Sequence, residues 1–188
     1  NYSLPDHDIK MTFLPTDFTQ VNFELNQKMI NLALQLLDLN KEDKVIDLFC
    51  GLGNFTLPIS RYVKSVVGIE GDSGLVERAK ENASQNGVSN ASFYKADLFE
   101  DVSGFEWFRG KKYSKALIDP ARSGAIEIVE LLPKLDVERL VYVSCNPSTL
   151  ARDTSRLIDL GFTLSSAGVM DMFPQTAHVE SIALFLKK

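Results

Sequence analysis

From Lys44 onward the chain alternates short β-branched or apolar runs with amphipathic stretches, and this alternation limits the fold more than any other feature. Lys44 to Leu48, Ser65 to Ile69, Ala91 to Lys95, Lys115 to Ile118, Leu140 to Val143, Phe162 to Val169 and Ser181 to Leu186 read as strands. Phe55 to Tyr62, Gly74 to Gln85, Ala125 to Leu132 and Thr149 to Leu160 carry apolar residues at spacings of three and four and read as helices. Alternation of this kind builds parallel strands whose crossover helices cover both faces of the sheet. The last two strands follow one another without a helix, so they should form a closing hairpin with an antiparallel final strand. The expected architecture is α/β and Rossmann-like: a seven-stranded, mostly parallel sheet with its last strand antiparallel.

Upstream, Asn22 to Leu39 is amphipathic. Leu25, Met29, Ile30, Leu32, Ala33, Leu36 and Leu37 mark one face, and Asn26, Gln27, Lys28 and Gln35 the other. Asn1 to Gln20 has two prolines and no period, so residues 1–21 are expected to be an extended linker from an upstream region, with the functional domain over 22–188. A first residue that is not Met suggests a piece of a longer protein. At 188 residues one core is expected. No apolar run approaches the roughly 20 residues of a membrane span, and no signal peptide is visible. Cys50 and Cys145 are the only cysteines, which argues for a reducing, cytoplasmic setting and against a metal site built from this segment alone. A net charge of −5 makes a poor non-specific nucleic-acid binder, so any RNA must be held by a local basic patch or by another region.

Ligands in open α/β sheets collect outside the carboxyl ends of the strands. The first such end is Asp47-Leu48-Phe49-Cys50-Gly51-Leu52-Gly53-Asn54-Phe55. Gly51 and Gly53 permit a tight turn and close approach of a ligand to the backbone, but the third glycine of a dinucleotide fingerprint is absent. Glu70 ends the second strand, where an acid accepts both hydroxyls of a ribose. Asp97 follows the third strand, placed to accept from an adenine amino group. A glycine turn followed by acids after strands two and three is the pattern of an S-adenosylmethionine site, the turn receiving the methionine part. Asp119-Pro120 ends the fourth strand, and Asp-Pro also favours a plain turn. Cys145 follows Leu140 to Val143 directly within Ser144-Cys145-Asn146-Pro147, where a nucleophile would be displayed; a free cysteine is otherwise a small core hydrophobe.

Together these residues resemble a known family. Asp47 to Phe55, Asp119-Pro-Ala-Arg122, Ser144-Cys-Asn-Pro-Ser-Thr-Leu-Ala-Arg-Asp153 and Asp171-Met-Phe-Pro-Gln-Thr-Ala-His-Val-Glu180 resemble, in order and spacing, the RNA uracil-C5 methyltransferases. Asp17-Phe-Thr-Gln-Val-Asn22 extends the likeness over essentially the whole chain, which is most similar to the bacterial subgroup acting on uracil-1939 of 23S ribosomal RNA. The resemblance implies a class I S-adenosylmethionine-dependent fold. It assigns Gln20, Phe49, Asn54, Glu70 and Asp97 to cofactor-contacting positions and Asp119 to the pocket shared by cofactor and target base. Cys145 takes the nucleophile position and Glu180 that of the general base. Such enzymes usually carry an upstream RNA-binding β-barrel domain and, in this subgroup, a four-cysteine 4Fe-4S cluster, neither of which lies within these residues. No protein partner and no membrane are implied.

The implied chemistry suits these residue types. Carbon 5 of uracil is a poor nucleophile until a thiolate adds at carbon 6, and cysteine both adds readily and leaves again. A base must then remove the carbon-5 proton. The target uridine must be flipped or single-stranded to be reached, and Phe18, Phe173 and His178 are candidates to stack on it. Arg122 and Arg152 would bind phosphate or a carboxylate, or else be solvated charges. A transfer RNA substrate and a non-catalytic cofactor- and RNA-binding module are the alternatives.

Overall fold

In the computed structural model residues 1–17, 22–171 and 179–188 are described. The elements run β1 (Tyr2–Leu4), β2 (Ile9–Met11), α1 (Phe23–Leu37), β3 (Lys44–Leu48), α2 (Thr56–Ser60), β4 (Ser65–Glu70), α3 (Ser73–Gln85) and β5 (Ala91–Lys95). They continue with β6 (Lys115–Ile118), α4 (Ile126–Val129), β7 (Arg139–Ser144), α5 (Pro147–Asp159), β8 (Phe162–Met170) and β9 (Glu180–Lys187). The main sheet has seven strands in the order β5-β4-β3-β6-β7-β9-β8. β3 to β7 pair in parallel, whereas β9 is antiparallel to both β7 and β8. The expected seven-stranded α/β sheet with an antiparallel last strand is what forms.

Alternation along the strands divides the core between the two faces. Val45 and Val66 join α1, α2 and α3 through Met29, Ile30, Leu57 and Ala79. Ile46 and Leu48 point the other way and pack with Ile128, Leu132, Tyr142 and Leu157, together with Trp107 and Phe108 from the connection after β5.

Two helices depart from their expected lengths. The stretch Ala125 to Leu132 forms only the short α4, followed by a 3₁₀ turn at Leu132–Leu135, because Pro133 cannot donate the hydrogen bond that would continue the helix. Phe55 to Tyr62 shortens to α2, so little helix dipole is available at the glycine turn. The N-terminal segment is extended as expected, but it is paired: β1 and β2 form an antiparallel hairpin that buries Leu4, Ile9 and Met11 in the core.

Candidate active site

The functional residues read from the sequence gather along one sheet edge because parallel strands all end there. Glu70, the last residue of β4, uses Oε2 to accept from the Gly51 N–H at 3.0 Å and Oε1 to accept from the Asp72 N–H at 2.9 Å. The acid therefore ties the glycine turn to the end of β4. In that turn Phe49, Gly51 and Gly53 have φ of 66°, 54° and 96°. A bulky residue at positive φ is strained by roughly 1–2 kcal/mol, and such strain clusters at functional sites. A Cβ added at Gly51 would meet nothing within 4 Å, which leaves space against the backbone. One at Gly53 would lie 3.2 Å from Leu57 Cγ, so that glycine serves the close approach of turn to α2.

Asn54 is turned toward the scaffold. Its Oδ1 accepts from Tyr2 OH at 2.7 Å and Asn26 Nδ2 at 3.0 Å, while its Nδ2 donates to Asn26 Oδ1 at 3.0 Å. Asp97 is exposed after β5, with Oδ1 accepting from the Phe99 N–H at 3.0 Å. This turn sets Phe99 beside Phe49, ring centroids 5.7 Å apart. Phe99 is 44% exposed and offers an aromatic wall next to Asp97 that the sequence reading did not single out.

On the other half of the edge the register brings the reactive residues together. β7 and β9 end their pairing at Ser144↔Ser181, so the next residues, Cys145 and Glu180, face one another across two adjacent strands. Asp119 follows the Ile118↔Tyr142 pair on the neighbouring strand, its N–H donating to Leu48 O. Burial pushes the Cys145 thiol up from its ordinary value, and the charges of Glu180 and Asp119 push it further; the thiol's own backbone N–H and Arg122 oppose this. Burial raises Glu180 as well. Asp119 is raised well above the usual carboxylate range by burial and then by Glu180 and Asp47.

Asp47 is a further acid of this group; the sequence reading quoted it at the head of the Asp47 to Phe55 motif but gave it no role of its own, although a charge inside an otherwise apolar strand was the signal. It is buried, its Oδ2 accepts from Thr56 Oγ1 at 2.5 Å, and among the described residues its Oδ1 has no hydrogen-bond partner. Desolvation raises it to about 7, Thr56 opposes that, and Glu70 adds to it. Cys50 is buried and its thiol is pushed well up by burial, Asp47 and Glu70, so it is an inert core residue. Among the two arginines, Arg122 is exposed near the thiol, while Arg152, half-exposed, pairs with the Asp153 carboxylate and donates to Ser123 O. Gln20 and Phe173, like Phe18 and His178, lie outside the described residues.

A glycine turn, the acids Glu70 and Asp97, and a cysteine opposite a glutamate thus share one edge. The chain matches, over residues 1–188, the profile of the family described as tRNA (Uracil-5-)-methyltransferase. It belongs to that family. Its relatives within the tRNA (Uracil-5-)-methyltransferase family include the 23S rRNA (uracil(1939)-C(5))-methyltransferase RlmD of Vesicomyosocius okutanii, 73% identical over 187 residues, covering 100% of this chain and 43% of that protein. The protein of the same description from Xanthomonas oryzae pv. oryzae is 57% identical, with 100% and 42% covered. Among solved structures, the Pyrococcus abyssi tRNA (uracil-54, C5)-methyltransferase in complex with S-adenosyl-L-homocysteine superposes with a TM-score of 0.79 at 28% identity, covering 95% of this chain and 42% of that one. The chain thus spans less than half the length of the curated relatives it matches. Among the described residues no helix is long and apolar enough to cross a membrane.

Proposed function

We propose that this chain is the catalytic part of a 23S rRNA (uracil-C5)-methyltransferase of the uracil-1939 type, working on a flipped uridine in the cytoplasm through a covalent cysteine adduct. The observation that carries the reading is the Cys145–Glu180 pairing at the β7/β9 edge beside Asp119.

The pocket fits S-adenosylmethionine. Its acids, Asp47, Glu70 and Asp119, suit a ligand that brings a sulfonium and an ammonium group, and the unpartnered Asp47 Oδ1 is a buried acceptor with nothing yet to accept from. Phe49, Gly51, Gly53, Glu70, Asp97 and Asp119 would hold it, with Gln20 assigned by resemblance; Asn54, whose amide is taken by Tyr2 and Asn26, would act by fixing the turn. When bound, it supplies an electrophilic methyl group. A 4Fe-4S cluster, where the subgroup carries one, belongs to sequence outside these residues.

Cys145 adds at carbon 6 of the uracil, forming an S–C6 bond and moving the ring's electron pair toward carbon 5. Asp119 accepts from an N–H of the base and so fixes its orientation. Once the pair at carbon 5 has bonded the methyl group, carbon 5 still carries its proton, and Glu180 removes it; the released C–H pair restores the C5–C6 double bond and expels the thiolate. A glutamate raised by burial is a better proton acceptor here than an exposed one, and its place across the strand pair from the thiol supports that role. Arg122 would take the phosphate beside the target nucleotide, and Phe173 would stack on the base.

The named relatives favour ribosomal RNA at 73% identity over transfer RNA at 28%. A binding module without catalysis needs neither a displayed thiol nor a base opposite it. The test is incubation with 5-fluorouridine-containing 23S fragments and S-adenosylmethionine, followed by a denaturing gel. A covalent protein–RNA band that Cys145→Ala abolishes, without loss of S-adenosylhomocysteine binding, is expected. A band that survives Cys145→Ala overturns the mechanism, and one formed only with transfer RNA overturns the substrate.

A further inference from the structure

We propose that Asp153 is a positioning residue that locks the Asp119–Ala125 loop to the strand and helix that carry Cys145, and so sets the geometry between the thiol and Asp119. The inference rests on the functional reading above. Asp153 is fully buried in the second turn of α5, the helix that begins two residues after Cys145. Its Oδ2 accepts from the Ala125 N–H at 2.8 Å and from Tyr142 OH at 2.7 Å, while Oδ1 accepts from Arg152 Nε at 2.8 Å. One carboxylate therefore joins the end of the Asp119 loop, the strand three residues before the nucleophile, and the helix behind it.

The rest of the α5 N-terminus grips the same loop. Asn146 Nδ2 donates to Arg122 O at 3.0 Å, Thr149 Oγ1 to Arg122 O at 3.3 Å, and Arg152 Nη2 to Ser123 O at 3.0 Å. Gly124 makes room for the contact: φ is +79°, and a Cβ there would lie 2.6 Å from Arg152 Nη2 and 2.7 Å from Asp153 Oδ2. A buried carboxylate with three donors and a guanidinium partner is satisfied, and removing its charge leaves buried donors without an acceptor. Asp153 and its partners Tyr142 and Ala125 are buried, out of reach of a bound molecule. They act through Asp119 and Arg122 at one end and Cys145 at the other. A displacement of an ångström between such groups costs about a hundred-fold in rate.

The test compares wild type with Asp153→Asn, which keeps the volume and removes the charge. Three readouts are taken: the rate of covalent adduct formation with 5-fluorouridine RNA and S-adenosylmethionine, affinity for S-adenosylhomocysteine by calorimetry, and amide hydrogen exchange over residues 120–125. The clamp predicts an adduct rate lower by about a hundred-fold, cofactor affinity within about two-fold, and exchange faster by about ten-fold confined to that loop. An unchanged rate overturns it. So does a loss of rate that tracks equal losses of cofactor affinity and melting temperature, which would mean a structural role only. Should Asp153→Asn not fold, Arg152→Lys removes the Ser123 contact from a half-exposed side chain and is expected to lower the adduct rate by about ten-fold with cofactor affinity kept; no change there overturns the clamp. If wild-type protein forms no adduct at all, the uridine reading fails, and unchanged exchange over 120–125 in the variant then overturns the clamp by itself.

Discussion

Asp47→Asn should make the ligand-free protein more stable at alkaline pH and flatten its stability against pH. Asp47 is buried, half of its carboxylate is unpartnered, and desolvation lifts it from 3.8 to about 7. A folded value above the unfolded one means that the stabilising contribution is whole below pH 3.8 and is lost as pH rises, the loss being complete above about pH 7. At about 1.36 kcal/mol per pH unit the full loss is about 4 kcal/mol, of which about 3 kcal/mol falls between pH 5 and pH 8. Asparagine carries no charge, and its carbonyl still accepts from Thr56 Oγ1, so this component vanishes while the 2.5 Å contact has a substitute. Asp119 and Glu180 are raised too and give the wild type further slope; both remain in the variant, but Asp47 adds to the rise of Asp119, so its removal relaxes that carboxyl as well and flattens the variant's curve further. Urea unfolding at pH 5 and pH 8 with matched m-values is the assay. The stability difference, variant minus wild type, should grow by at least about 3 kcal/mol from the acid to the alkaline measurement. Equal slopes would refute the assignment of a raised carboxyl to Asp47. The same substitution removes a negative charge from the cofactor pocket, so S-adenosylhomocysteine affinity should fall as stability rises.

Glu180→Gln should let Cys145 add to ordinary uridine in RNA and then stall, so that a covalent complex carrying labelled methyl accumulates on a denaturing gel; normal turnover would remove Glu180 as the base. The same variant takes a negative charge away from a thiol that burial, Glu180 and Asp119 hold up, so iodoacetamide alkylation of Cys145 should shift to lower pH, whereas an unmoved profile would mean the two groups do not interact. Glu70→Ala should weaken S-adenosylhomocysteine binding by about 1.5–3 kcal/mol in calorimetry, the size of hydrogen bonds to a charged acceptor. Unchanged affinity would take Glu70 out of the site.

What was legible in the sequence is what depends on local pattern. The strands of the sheet were readable because each is a short apolar run that needs no partner to be recognised, and the carboxyl ends of those runs placed Glu70, Asp97, Asp119 and Cys145 at one edge before any contact was known. The order of the edge residues followed too, since a closing hairpin forces β9 antiparallel and puts its first residue, Glu180, against the end of β7. The hairpin at Tyr2–Met11 was not legible: three-residue strands carry no period, and what orders them is Leu4, Ile9 and Met11 packing on residues far along the chain.

Side-chain partners are where local pattern stops. Arg152 and Asp153 are adjacent charges on a helix, a pattern that in isolation means two solvated groups; one is wholly buried because Tyr142 and the Ala125 backbone cross behind it. Asn54 reads as a turn residue facing a ligand, yet its oxygen is taken by Tyr2 and Asn26 from two earlier segments. Asp47 shows the same limit from the other side: its place inside β3 was plain, but that place is costly only because no donor reaches Oδ1. A strand end fixes where a residue stands, whereas its charge state depends on every element packed against it. Asp47, Asp119 and Glu180 are the clearest instance, because burial raises each of them, Glu70 adds to the rise of Asp47, and Glu180 and Asp47 add to that of Asp119. An edge so loaded with unneutralised carboxyl groups is less stable without a cationic ligand than with one, so the affinity of the pocket and the instability of the empty site have a single electrostatic origin.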